Sequence, residues 1–207
     1  MTAATKPGVG EAVLLAGLPG MGPRRLSALL DAWDPADAWA RATSGRIDRL
    51  ALPDGTSALH VPTTPAAEAL ALAWRHAGSD REPADALADH HAQGVLVLLR
   101  DDPRYPLVLR DDLEPPAVLF ARGDLSCLER PRAAVVGTRR CTGLGAGFAR
   151  ELGRELAAAD VAVVSGLALG VDGAAHRGVL DSATAALASA PPVGVVGSGL
   201  DVVYPAR

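Results

Sequence analysis

The apolar residues of the N-terminal part of the chain recur every three to four positions, which is the spacing of helices with one buried face. In the segment 24–33, for example, the large apolar side chains fall on one stripe. The same spacing predicts further helices over residues 11–16, 35–41, 66–77 and 84–93. The tryptophans of these helices are expected to anchor a core: Trp33, Trp39 and Trp74.

The C-terminal part shows a different pattern, in which short continuous apolar runs alternate with helical segments. Runs 133–136, 161–164 and 193–196 predict strands, and segments 143–159 and 173–180 predict helices. This β-α-β-α-β order implies parallel strands joined by right-handed crossovers. The loops after the three strands then lie at one edge of the sheet, which is where open α/β sheets bind ligands.

Two further apolar runs, 95–99 and 117–120, predict short strands on either side of a helical turn at 107–113. A polar, helix-breaking segment precedes them and provides a domain boundary. The sequence therefore predicts a small all-α domain over residues 1–83 and an α/β domain with a parallel sheet over 84–207. The last predicted strand has no following helix to cover it, so we expect the natural domain to continue.

The helical segments of the α/β domain also carry expectations about single residues. On the helix over 143–159, Phe148, Leu152 and Leu156 are expected on the inner face. Asp172 and His176 are four residues apart and would share one face of the next helix. An acid–base pair is one interpretation. The favoured alternative is that Asp172 caps this helix while His176 bonds a neighbouring loop.

Composition limits the classes of function. The net charge of the 207 residues is −4, so a nucleic-acid contact would need a local basic patch. The segment 130–155 offers one, with six arginines and two glutamates. Lys6 is the only lysine, and arginine suits bidentate contacts with phosphate. The alternative is that these arginines are merely solvated on a generic α/β domain.

Several other classes lack their signatures. No apolar run approaches the roughly 20 residues of a membrane span, and no signal-like segment is present, so no membrane association is expected. The two cysteines form no CxxC pair, which favours a reduced, cytoplasmic compartment. The histidines show no recognisable metal-ligand spacing, so no metal site is predicted.

A glycine-rich turn separates the first two predicted helices. Gly20 and Gly22 lie in the sequence Pro-Gly-Met-Gly, and Arg24 and Arg25 follow directly. This turn resembles the helix-hairpin-helix element of DNA-binding proteins, in which backbone amides face a phosphate. The alternative is that the turn only packs two helices together.

The three loops at the sheet edge predict an anion site. Backbone amides at 137–138, 165–166 and 197–198 are expected to converge on a phosphate, helped by two helix N-termini. Arg139 and Arg140 would add charge that leads toward a polyanion. A dinucleotide fingerprint or a Walker loop would need glycine, acidic or lysine residues that are missing here, so no nucleotide cofactor is expected.

Four ordered motifs of the chain together resemble those of one family. The first is Val136-Gly137-Thr138-Arg139 with Gly145, and the second runs from Ser165 to His176. The third is Gly199-Leu200-Asp201 with Tyr204-Pro205. A lead-in consists of Tyr105-Pro106 with Leu109, Pro116 and Gly123. On these motifs the chain resembles the DNA processing protein A family, also called DprA or Smf.

The resemblance implies a fold and a function. The fold would be an extended Rossmann-like domain behind a helix-hairpin-helix (SAM-like) domain. The protein would bind single-stranded DNA and assist loading of the RecA recombinase in natural transformation, as a homodimer, without nucleotide cofactor and without catalysis. The implied DNA or phosphate site combines the family loop with residues assigned by position: Gly137, Thr138, Arg139, Arg140, Ser165, Gly166, Gly170, Ser198 and Gly199.

The chain also departs from the family pattern. Leu144 replaces the usual tyrosine, and the later half of the sheet, an Arg-Asn-Arg motif and a winged helix are missing. Two alternatives to the DNA-binding protein therefore stay open. One is a nucleotide-phosphate-binding enzyme such as a nucleoside-monophosphate glycosidase, which would use Asp172 or Asp201 for proton transfer. The other is an inactive truncated fragment.

Overall fold

The computed structural model describes residues 6–46, 50, 65–78, 81–185 and 190–202. The chain divides into two compact units, residues 1–122 and 123–207. No helix among the described residues is long and apolar enough to cross a membrane. Tyr204 and Pro205 of the third motif lie outside the described residues.

Within the described residues, the first unit begins with five α-helices, which confirm the apolar periodicity of the sequence. Their bounds are α1 (Val9–Ala16), α2 (Pro23–Ala32), α3 (Pro35–Ala42), α4 (Pro65–Ala77) and α5 (Pro83–Ala92). A proline opens α2, α3 and α5 at a position where no amide hydrogen is needed. Trp74 is fully buried, as predicted, while Trp33 and Trp39 pack partly buried against the same core.

Two strands complete the first unit. The strand β1 (Val95–Leu99) pairs antiparallel with β2 (Val118–Arg122), and the short helix α6 (Leu107–Arg110) lies between them in sequence. The apolar side chains of this pair share one core with the helices. The compact unit therefore ends after β2, whereas the sequence pattern set the domain boundary at residue 83. The reason is that the helix-breaking segment before α5 is only a loop within the unit, since α5 packs against α1 and β1.

The second unit contains the predicted parallel sheet. After a 3-10 turn at Leu125–Glu129 come β3 (Arg132–Ala134), α7 (Gly143–Ala158), β4 (Ala162–Ser165), α8 (Val171–Ala185) and β5 (Val193–Gly194). The strand order is β3-β4-β5, and both pairs are parallel. The predicted α/β class and the β-α-β-α-β order are thus confirmed.

The core of the second unit lies between the sheet and the two helices. Val163 of β4 and Val135, which directly follows β3, pack with Ala157 of α7 and with Ala175 and Val179 of α8. The helices α7 and α8 approach each other through glycine. A Cβ atom added at Gly178 would lie 1.8 Å from the carbonyl oxygen of Arg150, and one at Gly153 would lie 2.1 Å from that of Ala175.

Two local predictions about these helices were wrong. Phe148 does not face the core, because its side chain is 71 % exposed while Leu152 and Leu156 are packed inward. The helix α8 starts at Val171 rather than at residue 173, and it continues to Ala185 into the segment interpreted as a loop. Asp172 therefore lies inside the first turn of α8 instead of preceding it.

Candidate nucleic-acid interface

The loop between β3 and α7, residues 137–142, is held in shape by two threonine hydroxyls. Thr138 Oγ1 accepts from the amide of Arg140 at 3.2 Å, which closes a tight turn. Thr142 Oγ1 accepts from the amide of Gly145 at 3.1 Å and so caps the N-terminus of α7. This capping role of Thr142 was missed, although threonine directly before a helical segment is a recognised signal. The loop residues from 137 to 140 are exposed.

The loop between β4 and α8 packs directly against loop 137–142. The amide of Val171 donates to the carbonyl oxygen of Thr138 at 3.2 Å. Gly170 has a φ of 87°, and a Cβ atom there would lie 2.2 Å from the same oxygen. Only glycine fits such a conformation and approach without strain. Gly170 thus allows the close approach of the two loops, which the hydrogen bond from Val171 joins.

Asp172 forms the centre of this junction. Its Oδ1 accepts from the amide of Gly137, and its Oδ2 accepts from the amide of Gly166, each at 3.1 Å. The residue is 5 % exposed. Burial alone would raise the pKa of this carboxyl, but hydrogen bonding, in which the amide of Gly137 has the largest effect, outweighs burial and lowers the pKa below 3.8. One ionised carboxylate therefore bridges the loops after β3 and β4.

This geometry revises the predicted anion cradle. The amides of Gly137 and Gly166 do converge, but on the oxygens of Asp172. In the first turn of α8, the amides of Val171, Gly173 and Ala174 donate to carbonyl oxygens, and only that of Asp172 has no acceptor among the described residues. At the exposed N-terminus of α7, the amides of residues 143 and 144 have no acceptor in the described part of the chain.

The third predicted loop follows β5. The amide of Val195 donates to the carbonyl oxygen of Ser165 at 2.9 Å, which ties this loop to β4. Ser198 and Gly199 lie further along it and are exposed, while Ser165 is 2 % exposed. The phosphate-binding roles of these three residues stay predictions.

The six arginines of the segment 130–155, the predicted basic patch, fall into two groups. One group is engaged at carboxylates or carbonyls: Arg130 with Asp160, Arg132 with two backbone carbonyls, Arg150 with Asp181, and Arg154 with Glu151 and Glu155. Arg139 and Arg140 form the other group. They are exposed and have no ion pair or hydrogen-bonded side chain within the described ranges. The free positive charge of the predicted basic patch is thus concentrated on loop 137–142.

Asp172 and His176 are not arranged as an acid–base pair. Both carboxylate oxygens of Asp172 accept from amides, so neither is presented to a substrate. His176 is 7 % exposed and lies next to the backbone of Val163 in β4 rather than beside a loop, and its buried Nε2 atom has no hydrogen-bond partner among the described residues. Burial lowers the pKa of His176 below 6.5, against the raising effects of Val163 and Asp172. Among the described residues, no three His, Cys, Asp or Glu side chains cluster as a metal site requires.

The glycine hairpin of the first unit is fastened within that unit. Trp74 Nε1 donates to the carbonyl oxygen of Pro19 at 2.8 Å, and Arg25 donates to that of Gly20 at 2.5 Å. Arg24 lies 3.9 Å from Glu114, with both side chains exposed. Gly22 is the N-cap of α2 and has extended backbone. These contacts are those of a packed turn, and a DNA-binding role of the hairpin stays a prediction.

Comparison with known proteins identifies the family to which the chain is related. The model of the family described as DNA recombination-mediator protein A matches residues 96–207. The DNA processing protein DprA of Bacillus subtilis is 35 % identical over 120 residues, which cover 58 % of this chain and 38 % of that protein. A putative DNA processing protein DprA of Mycobacterium tuberculosis is 39 % identical over 148 residues, covering 64 % and 36 %.

A solved structure gives the same result for the fold. The X-ray structure of DNA processing protein A from Streptococcus pneumoniae superimposes with a TM-score of 0.64 at 24 % identity, covering 95 % of this chain and 60 % of that one. The chain spans little more than a third of the length of the curated relatives named above. Since the family model covers more than half of its residues, the chain belongs to the DprA/Smf family, that of the DNA recombination-mediator protein A.

Proposed function

We propose that the chain binds the phosphate backbone of single-stranded DNA through loop 137–142, as part of DNA processing in natural transformation. The observation that carries this proposal is the pair Arg139 and Arg140. They are exposed and have no acidic partner in the described part of the chain, on a protein whose net charge is −4. Membership of a family of DNA recombination mediators supports the same function.

The residues of the site have different roles in this proposal. Thr138, Arg139, Arg140 and the open amides at the start of α7 contact phosphates, because charge and unbonded donors coincide there. Gly137, Ser165, Gly166 and Gly170 position the loops from behind. Ser198 and Gly199 extend the surface beyond β5. The planar guanidinium groups also offer stacking surfaces for unpaired bases in a chain with only 3 % aromatic residues.

Partners and compartment complete the proposal. The intact protein acts in the cytoplasm as a homodimer and assists loading of the RecA recombinase onto the bound strand. No nucleotide cofactor takes part and the protein has no catalytic activity of its own. A homodimer would double the number of basic loops on one strand, which raises the effective affinity through linkage.

Fluorescence anisotropy of a labelled oligonucleotide tests the proposal. The purified chain is titrated against single-stranded and duplex DNA at several salt concentrations. Arg139→Ala is expected to weaken single-strand binding about tenfold, through the loss of one charged hydrogen bond. It should also make the plot of log K against log salt shallower by about 0.7, which is the effect of one phosphate contact.

Arg154→Ala is the matched control. It removes the same charge from α7, but its guanidinium is already paired with Glu151 and Glu155. Its affinity and salt slope should therefore equal those of the wild type. Equal losses in the two variants, or tighter binding to duplex than to single strand, would contradict the proposed site. RecA loading is tested separately, by the rate at which RecA displaces a single-strand-binding protein in the presence of the intact protein.

A further inference from the structure

The position between the loops after β3 and β4 is built as an anion site. Two backbone amides, those of Gly137 and Gly166, point to it from adjacent strands. It adjoins the first turn of α8, where the helix dipole favours negative charge. In open α/β sheets, amides at such a junction hold a ligand's phosphate. In this chain a side chain takes that place.

The carboxylate of Asp172 accepts the hydrogen bonds that a phosphate would accept at this position. Its two oxygens accept one amide each at 3.1 Å, so each loop donates to its own oxygen. Three further amides at the start of α8, those of Val171, Gly173 and Ala174, donate to backbone carbonyls. A phosphate brought to this junction would find the amides of Gly137 and Gly166 already engaged, and it would face a buried charge of its own sign. Like charges at such short range repel.

We propose that Asp172 is a built-in anion that occupies the inner phosphate position and excludes free mononucleotides from it. Asp172 is then a specificity-determining residue. A ligand phosphate must bind outside the junction, at Thr138 to Arg140, where an isolated phosphate gains few contacts but a strand of phosphates gains many. The inference concerns the inner position only, and it stands whether or not loop 137–142 binds DNA.

Amide NMR tests the inference residue by residue. Uniformly ¹⁵N-labelled wild-type chain is titrated with inorganic phosphate and with 5′-dAMP, and the amide resonances of Gly137 and Gly166 are followed. They are expected to stay in place in the wild type. In Asp172→Ser the carboxylate is removed and both amides lose their acceptor. Both resonances should then shift saturably, with phosphate affinity at least about tenfold above that of the wild type.

Asp181→Ser is the control for net charge, because it removes a carboxylate from the exposed side of the same helix. It should leave both glycine resonances unresponsive. Asp172→Ala also empties the position and serves if the serine variant does not fold. Both glycine resonances should again respond to phosphate.

The outcomes separate cleanly. Saturable shifts of Gly137 and Gly166 in the wild type on addition of 5′-dAMP would overturn the inference, whatever the variants do. So would a folded Asp172→Ser or Asp172→Ala chain with no gain of phosphate binding. Oligonucleotide binding is measured on the same samples by anisotropy. Its absence would refute the proposed DNA site and leave the result at the inner position unaffected.

Discussion

Replacement of Gly178 by alanine should destabilise the second unit, although alanine is the better helix former. A Cβ atom at this position would lie 1.8 Å from the carbonyl oxygen of Arg150 and 2.9 Å from the amide nitrogen of Arg154. Both atoms belong to the backbone of α7 and cannot rotate away. Since real Cβ atoms keep at least 3.0 Å from such neighbours, the two helices must separate by about 1.2 Å.

The size of the effect follows from two opposing contributions. Overpacking of a closely fitted interface costs about 1–3 kcal/mol, and the upper end applies because a gap of about 1 Å also weakens dispersion contacts along both helices. The gain in helix propensity from glycine to alanine is about 1 kcal/mol. We therefore expect Gly178→Ala to lower the free energy of unfolding of the second unit by about 2 kcal/mol.

Gly147→Ala is the matched control in the partner helix. Nothing lies within 4 Å of a Cβ atom at Gly147, so the same substitution should stabilise α7 by about 0.5–1 kcal/mol. Native-state hydrogen exchange of the amides of Leu156 and Val179 measures the second unit by itself. Tryptophan fluorescence should not change, because all three tryptophans belong to the first unit.

The prediction requires the two substitutions to change the free energy of unfolding in opposite directions. If Gly178→Ala is as stable as the wild type, or if both variants shift stability in the same direction, the close approach of α7 and α8 is not what holds this unit together. A destabilised Gly178→Ala chain with unchanged DNA affinity would instead show that the loops keep their geometry when the helices behind them separate.

Two further predictions concern a buried histidine and a helix cap. His176 has a pKa lowered from 6.5 by burial, so the unfolded chain takes up the proton first. The stability contributed by the neutral ring is complete above pH 6.5 and is lost as the pH falls below it. His176→Gln should reduce the loss of second-unit stability between pH 7 and pH 5, measured by urea unfolding, and an unchanged pH profile would contradict this. Asp34 accepts from the amides of Ala36 and Asp37 at the start of α3. Asp34→Ala should therefore lower the thermal stability of the first unit by about 1 kcal/mol, and a change below about 0.3 kcal/mol would refute the capping role.

The order of elements could be predicted because hydrophobic periodicity is a local property. The runs 133–136, 161–164 and 193–196 each contain or overlap an observed strand of the parallel sheet. The antiparallel pairing of β1 with β2, and their packing on the first five helices, could not be read in the same way. Pairing depends on contacts between residues distant in sequence, and short apolar runs carry no information about partners.

The buried face of α7 was predicted wrongly because the prediction relied on the largest apolar side chains. The prediction favoured the large residues Phe148, Leu152 and Leu156, whereas the fully buried stripe consists of Ala149, Gly153 and Ala157. Both sets recur at every fourth position, and they are displaced by one residue. Small residues were needed because the backbones of α7 and α8 approach closely at this stripe. A ranking of residues by hydrophobicity alone places the stripe one position too early.

The sequence predicted where the candidate site lies but not the hydrogen bonds within it. Glycines after strands correctly indicated a shared sheet edge, because parallel topology brings such loops together. What a motif cannot state is which partner satisfies each amide. Asp172 was interpreted as a cap of its own helix, yet its carboxylate accepts from loops 35 and six residues earlier in the chain. These hydrogen bonds depend on distances between residues far apart in the chain. They also change the interpretation of the position, because the amides predicted to bind an external anion already bind the carboxylate of Asp172.

The hydrogen bonds of the inner junction also hold the base of the exposed loop 137–142. An exposed loop that carries adjacent arginines would ordinarily sample many conformations, because charge repulsion adds to chain entropy. Here the backbone of residues 137 and 138 is fixed through Asp172 and Val171 to the first turn of α8. The arginines therefore project from a rigid base, and a DNA strand that binds them would order only their side chains. This arrangement lowers the entropic cost of binding without placing any recognition contact in the buried junction.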